Sequence, residues 1–145
     1  MPIDPELVRR KARLILEDLA RLGPLAAKTI ESYLADPKDE IVAERLLERI
    51  VGRMIDINYH YCVETTGIPP KDYHESFVRL VDLGVLPRDR AESLARSSGL
   101  RNRLAHEYNG LDERLVHAAA RAAVAEVPEY LRAVEKSLLD PGGGD

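Results

Sequence analysis

Apolar residues recur every three or four positions through most of the chain, and proline or glycine breaks the recurrence. Leu7, Val8, Leu14, Ile15, Leu19 and Leu22 form the first stripe. Asp4-Pro5 opens it, an N-cap carboxylate followed by proline at the first helical position, and Gly23-Pro24 is expected to stop it. A weaker helical stretch covers about Leu25 to Leu34. Asp36-Pro37 repeats the start signal, with Asp39 and Glu40 where the helix dipole favours acids. Ile41, Leu47, Ile50, Val51, Met54, Ile55, Asn58, Tyr61 and Cys62 then form one long stripe ending at Thr65-Thr66-Gly67. That helix is expected to be roughly 28 residues, or about 42 Å, long. A short helix from His74 to Leu83 closes on Gly84. Pro87 opens the next, which carries Leu94, Leu100 and Leu104 and is expected to end near Asn109-Gly110. Asp112 to Leu139 is the last helical region, and Pro128 is expected to kink or split it.

No strand pattern or internal repeat interrupts this series. The expectation is an all-α fold, an antiparallel bundle of four to five helices within one domain over residues 1–140. Residues 141–145 are expected to form a Gly-rich flexible tail.

Composition agrees with a helical bundle that has an aliphatic core. Of 145 residues 45% are hydrophobic, but aromatics make up only 5%, with one Phe and no Trp. The length suffices to bury a core without disulfides or metals. A net charge of −4 argues against a protein that coats nucleic acid. The charge is uneven, however. Between Arg88 and Arg103 five arginines face two acids, Asp89 and Glu92, a local surplus that suits a few phosphate contacts or a solvated helix face. Cys62 is the sole cysteine, which excludes a disulfide framework and a thiolate metal site. No basic-then-apolar leader and no apolar run of about 20 residues is present, so a cytoplasmic location without a membrane partner is expected.

The segment Gly99-Leu100-Arg101-Asn102-Arg103-Leu104-Ala105-His106-Glu107-Tyr108 carries the chemistry. It resembles the R-x4-H-x-Y signature of HEPN domains, most closely the HepT-like toxins. The helix order, Ile55-Asp56-Ile57-Asn58 and Val127-Pro128-Glu129 extend the resemblance from about Asp4 to Leu139. The resemblance implies a metal-independent ribonuclease toxin of a toxin–antitoxin system. It implies a homodimer acting on RNA rather than DNA, with a cognate nucleotidyltransferase antitoxin as partner. That antitoxin would silence the toxin by transferring AMP to Tyr108.

The residues suit that chemistry. Cleaving RNA without metal needs a base for the 2′-hydroxyl proton, an acid for the leaving oxygen and a cation on the phosphate. His106 can move protons at neutral pH. Arg101 offers a permanent bidentate fork. Asn102 and Arg103 are candidates for substrate binding or support, and Arg103 is equally well read as a surface residue. Tyr108 lies almost two turns beyond Arg101, beside the same cleft. Asp56 and Asn58 are candidates either for buried hydrogen bonds, with an arginine as the natural partner of Asp56, or for supporting the site. Arg101 and His106 stand five positions apart, about 140° around a helix. A cleft between two protomers relieves that divergence and supplies two histidines.

Other chemistries fit less well. The residues three before His60, His74, His106 and His117 are Ile57, Lys71, Arg103 and Arg114. None is acidic, so a bundle-type carboxylate metal centre is disfavoured. No metal and no cofactor is expected, and the other three histidines read as solvent-exposed. The main alternative is a non-catalytic, nucleotide-binding partner subunit of a nucleotidyltransferase. A plain helical adaptor is a third reading.

Overall fold

The computed structural model describes residues 3–106 and 112–140, with only the backbone described at Arg101, Ala105 and His106. Six helices follow one another: α1 (Pro5–Ala26), α2 (Ile30–Leu34), α3 (Pro37–Thr66), α4 (Tyr73–Asp82), α5 (Arg88–His106) and α6 (Glu113–Leu139). No strand occurs among the described residues. This is the all-α bundle that the periodicity predicts, with the weaker second stretch reduced to a five-residue α2.

The caps explain where the helices begin. Asp4 Oδ1 accepts from the Glu6 and Leu7 amides at 3.1 and 3.2 Å, and Asp36 Oδ1 from Lys38 at 3.0 Å. Asp72 and Asp112 do the same for α4 and α6. Gly67, at φ 74°, ends α3 in the left-handed conformation that glycine adopts without penalty.

One expectation about proline is corrected and another narrowed. Helix α1 does not stop at Gly23-Pro24 but runs to Ala26, and α6 is not split at Pro128 but continues through it. Each proline deprives the carbonyl four residues earlier of its donor. Those carbonyls belong to Ala20 and Val124, both exposed, where water can replace the missing donor. The second stretch is also shorter than expected. Leu25 and Ala26 belong to α1, and Thr29 caps α2 by accepting from Ser32 at 3.1 Å.

Helix α3 is the axis of the bundle and touches every other helix. Ile15, Leu22, Leu47, Ile50, Met54, Ile57, Phe77, Leu80 and Val116 are buried around it, as the apolar stripe requires. One polar chain crosses this core. The Tyr130 hydroxyl on α6 donates to Asn58 Oδ1 at 2.7 Å, and Asn58 Nδ2 donates to Ser76 Oγ on α4 at 3.1 Å. Asn58 is fully buried and both ends of its amide are satisfied. Cys62 is buried too, and burial pushes its thiol pKa up, away from reactivity.

Candidate active site

Helix α5 presents the motif. Ala91, Leu94, Ala95 and Leu100 are buried and Leu104 packs partly against the core, which fixes this helix to α3 and α4. Asn102 and Arg103 are exposed in its last turns. The backbone at Arg101 and His106 is helical, while their side chains, and Tyr108 as a whole, lie outside the described residues. The expected helix end at Asn109-Gly110 and the 141–145 tail also lie outside them.

Beside the motif runs a groove of about 310 Å³ between α3, α5 and α6. Leu47, Val51 and Met54 form its floor, and Leu115 and Ala119 one wall. Arg96 and Arg103 line its α5 side. Both are exposed, and no acid among the described residues pairs with either. Arg90 differs. It pairs with Glu126 at 3.4 Å and also with Glu129, so the basic strip read along α5 is narrower than the sequence implies.

The two candidates on α3 separate. Asp56 is not buried and has no arginine partner among the described residues; it is exposed and pairs with Lys11 at 3.0 Å. Asn58 belongs to the core ladder. A buried carboxylate with arginine partners does exist, but it is Asp18 on α1, contacted by Arg21, Arg49 and Arg53. An aspartate between Ile15 and Leu22 in an apolar stripe is the signal that could have found it.

Of the other histidines, His74 is exposed, and His60 Nε2 accepts from the Asp4 amide at 2.9 Å. His117 is not exposed as expected. It is buried, stacks on Tyr33 at 4.9 Å and bonds the Lys28 carbonyl at 2.9 Å.

An acidic cluster sits where α6 begins. The Tyr33 hydroxyl donates to Glu113 Oε1 at 2.8 Å. Burial, and then a hydrogen bond with Glu44, pushes the Glu113 carboxyl up to about 7. No group of three or more His, Cys, Asp or Glu that could hold a metal occurs among the described residues. No helix there is long and apolar enough to cross a membrane.

Comparison with known proteins gives a consistent picture. A family model described as ribonuclease HepT-like matches residues 15–134. A protein named tRNA nuclease HepT from Aphanizomenon flos-aquae is 31% identical over 94% of this chain and 93% of its own length. A putative RNase from Archaeoglobus fulgidus is 32% identical over 52% of this chain and 58% of its own. Among solved structures, the tri-AMPylated Shewanella oneidensis HEPN toxin in complex with MNT antitoxin superposes with a TM-score of 0.81. It is 17% identical and covers 92% of this chain and 99% of that one, a likeness of fold. YutE from Bacillus subtilis, a cytosolic protein of unknown function, superposes at 0.75 with 16% identity, over 99% of this chain and 98% of its own. On the extent of these matches, the chain belongs to the ribonuclease HepT-like family.

Proposed function

We propose that the protein is a metal-independent ribonuclease toxin that cuts structured RNA of the tRNA class and works as a homodimer. The observation that carries the reading is the sequence motif Arg101–x4–His106–x–Tyr108, whose Arg101–His106 part closes α5, in a chain similar along nearly all its length to a named tRNA nuclease. In this reading His106 takes the 2′-hydroxyl proton. The freed oxygen attacks the adjacent phosphorus and the 5′-oxygen of the next nucleotide leaves with a proton. Arg101 holds the phosphate with two parallel hydrogen bonds, Arg103 adds charge, and Asn102 orients the imidazole or the substrate.

Two copies of α5 facing each other bring one chain's arginine to the other's histidine, and supply one histidine as base and a second as acid. Two features favour such an interface. The groove beside α5 is floored by Leu47, Val51 and Met54, with Leu115 on its rim 49% exposed, and Gly99 has no atom within 4 Å of where a Cβ would stand.

Control follows from Tyr108. A partner nucleotidyltransferase joins the Tyr108 oxygen to the α-phosphorus of ATP and releases pyrophosphate. The attached AMP then brings negative charge and bulk into a cleft built for phosphate. The similar fold of an AMPylated toxin supports this step.

The test is to incubate purified protein with tRNA in the presence of EDTA. Cleavage that persists in chelator and disappears in His106→Ala is the expected result. Cleavage that needs a divalent ion sinks the mechanism.

A further inference from the structure

Asp18 is completely buried on α1, yet three arginines share it. Arg53 Nη1 lies 2.7 Å away, Arg49 Nε 3.0 Å and Arg21 Nη1 3.0 Å. Among the described residues none of the three has another acidic partner. One carboxylate neutralises one guanidinium, so the cluster keeps a surplus of two positive charges on a protein that is acidic overall.

The geometry matters as much as the count. Each arginine meets Asp18 through one nitrogen and retains further N–H donors. The side chains remain 61%, 39% and 21% exposed in the order Arg21, Arg49, Arg53. The buried carboxylate pins three forks in place with their free donors outward, so binding an oxyanion there loses little side-chain entropy.

The neighbouring surface indicates which oxyanion. Further along the same face of α3 lies a hollow of about 170 Å³ lined by Gly52, Asp56, Tyr59 and Tyr73. The Tyr59 and Tyr73 rings meet edge to face at 6.4 Å. The Asp56 charge in its wall is balanced by Lys11. Fixed cations followed by aromatic walls suit a sugar–phosphate chain carrying bases better than an acidic peptide.

We infer that Arg21, Arg49 and Arg53, held by Asp18, form a second phosphate-binding site that grips the RNA backbone away from the α5 motif. Val51 and Met54 point into the groove beside α5, whereas Arg49 and Arg53 sit about 200° around α3 from Val51. Only an RNA long enough to pass from one face to the other reaches both sites. This rests on the ribonuclease reading for its substrate, but binding can be tested without cleavage.

The probe is a fluorescent tRNA-arm hairpin with 2′-O-methyl groups throughout, which the proposed chemistry cannot cut. Anisotropy titrations at several salt concentrations compare wild type with Arg21→Gln/Arg49→Gln. The double variant is expected to bind on the order of tenfold more weakly. Its slope of log affinity against log salt should be lower by about 1.4–1.8, two phosphate contacts' worth. Arg21→Gln alone, altered at the most exposed position, guards against misfolding of the double variant and should lose about half that slope. In cleavage assays the double variant should raise KM for full-length tRNA and leave kcat, and the cutting of a four-nucleotide RNA, unchanged. Hairpin binding of unchanged affinity and slope overturns the inference, as does a wild type that does not bind the hairpin. Unchanged RNA binding with loss of the nucleotidyltransferase complex assigns the cluster to protein docking and overturns it too. A wild type that binds but never cleaves removes the ribonuclease reading, and the array is then judged on anisotropy alone.

Discussion

Tyr33 on α2 and Glu113 in the first turn of α6 are joined by a 2.8 Å hydrogen bond, and the Glu113 carboxyl beside Glu44 titrates near 7. The pH dependence follows from the sign of that shift. Between pH 4.5 and about 7 the folded state holds a proton that the unfolded state has released. This contribution to stability is therefore complete below 4.5, falls as pH rises and is gone above 7. Glu113→Gln keeps the bond to Tyr33 and removes the proton, so its urea midpoint should be flatter across that window and exceed wild type at pH 8. An identical fall in both proteins would place the titration elsewhere.

The core ladder gives a second expectation. Tyr130→Phe removes the donor to Asn58 Oδ1 and leaves a buried amide oxygen unpaired, at a cost of about 1–3 kcal/mol. Denaturant melts would register this as a lower midpoint with an unchanged slope. A variant as stable as wild type would mean that the ladder contributes nothing net.

For the proposed chemistry, His106→Ala should lower RNA cleavage by on the order of 10²–10⁴-fold, the usual share of a group that moves protons. Arg101→Ala should be comparably damaging. Normal cutting by either variant removes that residue from the mechanism.

Assembly is checked by light scattering. A cleft shared by two copies of α5 requires a dimer at micromolar concentration, and an obligate interface of this kind buries more than about 2,000 Å². A monomeric mass would remove the shared cleft.

The proposed control by AMP is checked by intact mass after co-expression with the proposed partner nucleotidyltransferase. Additions in units of AMP should appear on wild type and vanish in Tyr108→Phe. If the phenylalanine variant is modified and silenced like wild type, Tyr108 is not the switch.

Much of the architecture was legible because it is local. Asp-Pro starts, a Gly stop and three- to four-residue spacing are written within single turns, and α1, α3, α4 and α6 begin within a residue of where those signals stand. Pro24 misled, and Pro128 did not split its helix, because the carbonyls they orphan, at Ala20 and Val124, are exposed to water, and exposure is a tertiary property. The same applies to the acids. Asp56 and Asp18 both stand beside apolar neighbours in the sequence. Only the packing of α1 against α3 decides that Asp18 is sealed under arginines while Asp56 meets Lys11 in water. The motif itself was legible as residue types at a spacing. Asn58, which the sequence also offers as a support for the site, is held in the core by Ser76 and Tyr130.

The ladder from Tyr130 through Asn58 to Ser76 also works as an alignment key. Sliding α6 along α3 by one turn, about 5.4 Å, would part the Tyr130 hydroxyl from the buried Asn58 oxygen, and sliding α4 would part Ser76 from the Asn58 nitrogen, whereas an aliphatic core alone would tolerate either slip. Helices α3, α4 and α6 are therefore held in one permitted register. The bundle is a chassis with a single gear, so whatever regulates this protein has to act on a fixed frame and not by sliding these helices past one another.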